Sequence, residues 1–182
     1  NTWNSLQHGI VGWLHRNVIH QATPVSPEAV TEGLRVLDAA DAKAKTPGEK
    51  RRVDIVRGGL KFGSVAVLEY HLARQLAALP VTNQAQANTA LAKVQQLADL
   101  IGERGTYWAQ AEKRDDILGA NIRGLSIVKP GRSEGYLQRN FAPLESPAIP
   151  GILRAVDWYQ SKQPRKAAQI TQDLVAKFPQ GF

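Results

Sequence analysis

Apolar residues recur at intervals of three and four along most of this chain, the period of an α-helix buried on one face. Residues 2–20 place Trp3, Leu6, Ile10, Trp13, Leu14 and Val18 on such a face, and Ala-Thr-Pro at 22–24 ends the stretch. A second helix is predicted from Ser26, a good N-cap, with Pro27 in its first turn and Glu28 at its positive end. Its inner stripe is Val30, Leu34, Leu37 and Ala40/Ala44. A third runs from about Glu49 to Leu79 between Pro47 and Pro80, with Val53, Val56, Leu60, Val67, Leu68, Leu72, Leu76 and Leu79 in helical register. A fourth starts at Thr82 or Asn83. Ala87, Leu91, Val94, Leu97/Ala98, Ile101 and Trp108 line it, and Gly102 and Gly105 are candidate bends or ends.

Residues 117–150 lose this period and become rich in glycine and proline. Connections this long are often functional, or wrap another domain. Periodicity returns with Ile152, Val156 and Tyr159, then Ala167, Ile170, Leu174 and Phe178. The expected fold is all-α: a bundle of long antiparallel helices over 1–116, an irregular connection over 117–150, and a helical hairpin over 151–182. All three belong to one core and a single domain.

The third helix carries Gly58, Gly59 and Gly63 in its middle, each costing up to about 1 kcal/mol against alanine. Gly59 and Gly63 stack on one face. A smooth face lets a second helix come closer than usual. The expectation is close packing there, with the first helix and its Gly9 and Gly12 as neighbour. A kink at Gly58–Gly59 is the rival account.

Composition narrows the chemistry. The 182 residues include no cysteine, which excludes disulfides, thiolate metal sites and a cysteine nucleophile. They include no methionine either, so Asn1 is expected to begin a processed form or a piece of a longer protein. No apolar run has the length of a membrane span. The net charge of +7 is spread along the helices, and the densest cluster, Glu49–Arg52, contains its own acid.

No catalytic residue, metal set or cofactor motif emerges. His8 and His15 share a helix face but are about 10 Å apart along the axis, where a metal pair needs a spacing of three or four. Glu69 and His71 point to different faces, with Arg74 only a loose partner for Glu69, and Asp115 and Asp116 diverge likewise. The aromatics say more. Tyr107–Trp108 and Trp158–Tyr159 are adjacent pairs, and only one ring of each can be fully buried. Trp13, Tyr107, Trp108 and Trp158 are therefore the candidate ligand-binding residues, suited to stacking on a sugar ring or a base.

The run from Ser26 to Ala73 resembles the helical C-terminal region of large glycoside-hydrolase-like proteins of the alpha-glucuronidase and beta-galactosidase types. It shares an Asp/Ala-rich helix end, a Pro-containing turn into Arg-Arg-Val, and a Gly-Leu-Lys-Phe step at 59–62. The resemblance implies a non-catalytic accessory module of an exported, secreted or periplasmic carbohydrate-active enzyme. It also implies a catalytic domain, of the same or a partner chain, as neighbour, a saccharide as ligand, and a structural Arg52 paired with an acid on a neighbouring helix. Two other classes compete. Residues 163–179 resemble the second half of a tetratricopeptide unit, which implies a protein-interaction module. Lys50, Arg51, Arg57, Lys61 and Arg74, if gathered in one patch, would make a nucleic-acid-binding face.

Overall fold

The first predicted cap is in place. Ser26 Oγ accepts the Ala29 N–H at 3.1 Å and opens helix α1, Pro27–Lys43. A computed structural model describes residues 19, 22–115, 141–179 and 181 of the chain. The first predicted helix and most of the 117–150 connection lie outside the described residues.

Helix α2 spans Pro47–Ala78 and starts with a capping box. Thr46 Oγ1 accepts from Glu49 N at 3.2 Å, and the Glu49 carboxylate accepts from Thr46 N at 2.9 Å. Two otherwise unpaired amides are satisfied this way. Those backbone hydrogen bonds, first from Thr46 and then from Lys45, hold the Glu49 carboxyl below its ordinary range. Helix α3 spans Gln84–Glu112. Asn83 rather than Thr82 caps it, taking the Gln86 N–H at 3.0 Å, while Thr82 holds the Gln86 side chain. Gly102 and Gly105 do not end the helix, which runs through both. Residues 141–145 are helical and lead through a 3-10 turn, Ser146–Ala148, into α4, Ile149–Lys162. Gln163 alone links α4 to α5, Pro164–Lys177. Every regular element among the described residues is a helix, so the fold is all-α, with long antiparallel helices and a C-terminal hairpin.

α2 is the axis of the arrangement. α1 lies antiparallel along its first half, with Leu60 against Gly33 and Arg57 reaching Asp38 and the Leu37 carbonyl. α3 returns antiparallel, pairing Glu69 with Arg104 and Gln75 with Lys93, and just past its end Arg114 reaches Asp54. α4 crosses the last turns of α2 and carries α5. The main core, where α2 and α3 meet the α4–α5 hairpin, is built from Ala73, Leu76, Ala87, Ala90, Val94, Leu97, Ile152, Ala155, Tyr159, Ala167, Ile170 and Leu174. Its alanines allow short distances between helix axes. A smaller cluster of Ala22, Val30, Val67, Tyr70, Phe141 and Leu144 joins α1 and the 141–148 segment to α2.

One expectation about α2 needs correction. Val56 is 57% exposed, because α1 covers the Val53–Arg57–Leu60 side and leaves Val56 beyond its edge. Gly59 and Gly63 are also exposed, and apart from the local backbone of α2 and the flanking residues no described atom lies within 4 Å of a Cβ built at either. Among the described residues this face is open, and the expected packing on residues 2–20 lies outside them. On an open face Gly63→Ala adds helix propensity without a clash and is expected to stabilise by up to about 1 kcal/mol. A thermal melt shows this as a raised Tm, and a lowered one would favour the packing account.

Gly151 does mediate close packing. A Cβ there would lie 1.9 Å from the Leu76 carbonyl oxygen. One turn on, Arg154 donates to the Ala77 carbonyl at 2.6 Å and to the Leu79 carbonyl at 3.0 and 3.3 Å. The orphan carbonyls at the end of α2 thus find their partner on α4. α2 has no basic residue in its own last turn, so Arg154 supplies the positive charge this end favours.

Candidate functional site

Beside the α2–α3 seam runs a groove of about 420 Å³. α2 contributes Leu68, His71, Leu72 and Gln75, α3 contributes Gln96, Asp99, Leu100 and Glu103, and Pro27 closes one end. The three leucines and the proline form apolar wall, and the side-chain amides and carboxylates stand around it. His71 is fixed by its Nε2, 2.7 Å from the Val25 carbonyl oxygen. Gln75 accepts from Lys93 at 2.7 Å, and Asp99 meets Gln95 at 2.7 Å and Lys177 at 3.7 Å. Glu103 hydrogen-bonds Tyr107, whose hydroxyl burial, and then this carboxylate, push above its ordinary pKa.

Inside the seam lies a charged cluster. Glu69 is fully buried, and its two carboxylate oxygens are 2.6 and 2.8 Å from one guanidinium nitrogen of Arg104. The other terminal nitrogen of Arg104 donates to Glu145 at 2.6 Å, and the guanidinium stands 4.4 Å from the centre of the Phe141 ring. One cation therefore joins α2, α3 and the 141–148 segment. Burial pushes the Glu69 carboxyl up to about 8, against the pull of Arg104 and with a further push from Glu145. Such a cluster contributes little net stability over an apolar core. It does penalise sliding of α3 along α2, which would leave both charges against leucine and alanine.

Comparison of the chain with protein-family models, curated proteins and solved structures finds no match. Function is therefore argued from the geometry of these two features and the placement of the remaining candidates.

The candidate aromatics are not brought together. Tyr107 and Trp108 are half-buried near the end of α3 and pack with Ile55 on Phe62. Trp158 is half-buried against the main core, edge-on to Tyr159 at 5.2 Å between ring centres. Trp13 lies outside the described residues, as do His8, His15, His20 and Asp116. Tyr159 is the fully buried ring of its pair, and its hydroxyl bonds Asn88. Among the described residues no three metal-ligating side chains converge, and no helix is long and apolar enough to cross a membrane.

Three of the five cations proposed for a nucleic-acid face have partners on the chain itself. Arg57 pairs with Asp38, Lys50 lies 3.7 Å from Asp41, and Arg74 donates to the Tyr70 hydroxyl at 2.7 Å. That bond, after a stronger one to Thr23, holds the Tyr70 hydroxyl below its ordinary range. Arg52 is exposed, and the acid it acts on is Glu49 of its own helix. Arg57, one and a half turns on, is the arginine that reaches a neighbouring helix. The loose Glu69–Arg74 pairing gives way to Glu69–Arg104, which sequence reasoning missed.

Proposed function

We propose that the chain is a non-catalytic helical accessory module of a larger carbohydrate-active enzyme, and that the α2–α3 groove is the wall it offers to a saccharide. The groove carries the reading. At about 420 Å³ it falls within the range of small-molecule sites, which are concave, mostly apolar, and edged by a few polar groups. Leu68, Leu72 and Leu100 suit the C–H face of a sugar ring. Gln75, Gln96, Asp99 and Glu103 suit its hydroxyls, because amides and carboxylates offer paired acceptors and amides add donors. The resemblance over 26–73 supplies the carbohydrate context, and the groove's α2 half, up to His71 and Leu72, belongs to that run.

A tetratricopeptide-like interaction module is the second reading, favoured by the tight α4–α5 hairpin. Helix lengths count against it. α2 and α3 have 32 and 29 residues against 14 each for α4 and α5, so the hairpin docks on a different structure instead of repeating one. The nucleic-acid reading has less support, since Lys50, Arg57 and Arg74 already have partners on the chain.

Calorimetric titration of the chain with neutral and acidic oligosaccharides tests the proposal. Binding is expected, weakened on the order of tenfold in a Gln75→Ala/Gln96→Ala variant, since each lost hydrogen bond is worth about 1 kcal/mol. Affinity unchanged by that variant, no binding at millimolar sugar, or turnover of a glycoside by the chain alone would each overturn it.

A further inference from the structure

We infer that Glu69, Arg104 and Glu145 form a proton-operated clamp, which grips the 141–148 segment against the α2–α3 hairpin when one proton is bound and slackens when it is released. The inference is independent of the saccharide reading and rests on the geometry of the cluster. One guanidinium serves two carboxylates, all held within hydrogen-bond distance. With both carboxylates ionised the cluster carries one net negative charge in a site where Glu69 has no exposed surface. Water cannot reach Glu69 to spread its share of that charge, and taking up one proton removes it.

Apart from the cluster the segment is anchored by apolar side chains, and at its end Ala148 is buried in the main core. Phe141 and Leu144 are its buried apolar side chains before the 3-10 turn, and Phe141 packs on the same guanidinium. Among the described residues, the charged groups acting on Glu69 are Arg104 from α3 and Glu145 from the segment itself. Proton release therefore puts Glu69 and Glu145 in direct competition for one cation. Glu145 is the partner that yields, because its side chain is 27% exposed and can turn to water, whereas that of Glu69 is enclosed.

The direction in pH follows from the raised carboxyl. A group with pKa near 8 in the folded chain and an ordinary value of 4.5 when unfolded binds its proton more tightly in the fold. Its contribution is complete below the unfolded value and is lost as pH rises through the folded one.

Hydrogen exchange with millisecond labelling reads the grip on the segment. Protection of the 141–148 amides, corrected for intrinsic rate, is expected to fall about tenfold between about pH 7 and about pH 9.5, with a smaller fall in α4 and α5. Glu69→Gln keeps the shape of the protonated acid and is expected to hold protection level across that range. Equal pH profiles in the two proteins, or a uniform loss over the whole chain, would overturn the clamp. Should the variant fail to fold, carboxyl-carbon NMR of the unaltered chain decides: a Glu69 midpoint near 8 supports the clamp, and one near 4.5 overturns it.

Discussion

Gly151→Ala is expected to destabilise the fold by about 3 kcal/mol or more, the upper end of what overpacking costs. An added Cβ would stand 1.9 Å from the Leu76 oxygen, 2.6 Å from its carbonyl carbon and 2.9 Å from its Cγ. The first two are backbone atoms of a helix and cannot step aside as a side-chain tip can. α4 would have to lift away from α2 as a unit. Ile152 and Ala155 follow Gly151 into the core and would be drawn out with it. Arg154 would lose its hold on the Ala77 and Leu79 carbonyls, leaving the end of α2 uncapped. Urea unfolding followed by circular dichroism measures the loss. Gly63→Ala is the internal control, since the same methyl group in open space is expected to act in the opposite direction. A Gly151→Ala protein within about 0.5 kcal/mol of the parent, the spread of ordinary surface changes, would mean that α4 does not cross α2 this closely.

These two glycines show what the chain discloses by itself. Helix positions and caps were legible because they depend on local chemistry: Ser26 before Pro27, Pro47 at the start of α2, and apolar residues at helical spacing. The role of a glycine was not legible, because it depends on what the chain brings against it from afar. Gly59 and Gly63, four apart, have the spacing of a packing face yet meet no described neighbour, whereas Gly151, with no such spacing, sits against the Leu76 backbone. The placement of the candidate aromatics was not legible for a related reason. Trp108 and Trp158 sit on different helices, and nothing local says that α3 carries one to its far end while α4 carries the other onto the main core.

The buried cluster left a trace that could have been read. On α2 the buried positions Phe62, Val65, Ala73 and Leu76 frame a stripe at steps of three and four, and Glu69 occupies its centre. On α3 the stripe Ala87, Ala90, Val94, Leu97 and Ile101 continues through Arg104 to Trp108. A charge in core register on each of two neighbouring helices, with opposite signs, predicts an internal pair, because neither can be buried alone. Glu145 could not have been found this way, since it arrives from a segment without period.

Arg104→Met follows from that pairing and is expected to cost about 3 kcal/mol near neutral pH, the low end of the loss when one partner of a buried ion pair is removed. The low end applies because Glu69, raised to about 8, already holds a proton near neutral pH and is not left as a bare charge. That proton is lost as pH rises, so the cost is expected to grow in alkaline solution. Phe141 also loses the cation over its ring, and Glu145 loses its partner, though water can reach Glu145 in part. Adding Glu69→Leu is expected to return most of the loss, since an apolar pair of similar volume in a buried site is often as stable as the ion pair it replaces. Urea unfolding of both single variants and the double variant closes the cycle, with an expected coupling of about 2 kcal/mol, typical of residues acting as one network. A coupling near zero would show that Arg104 and Glu69 do not depend on each other, and a loss that shrinks at high pH would show that Glu69 does not hold the proton.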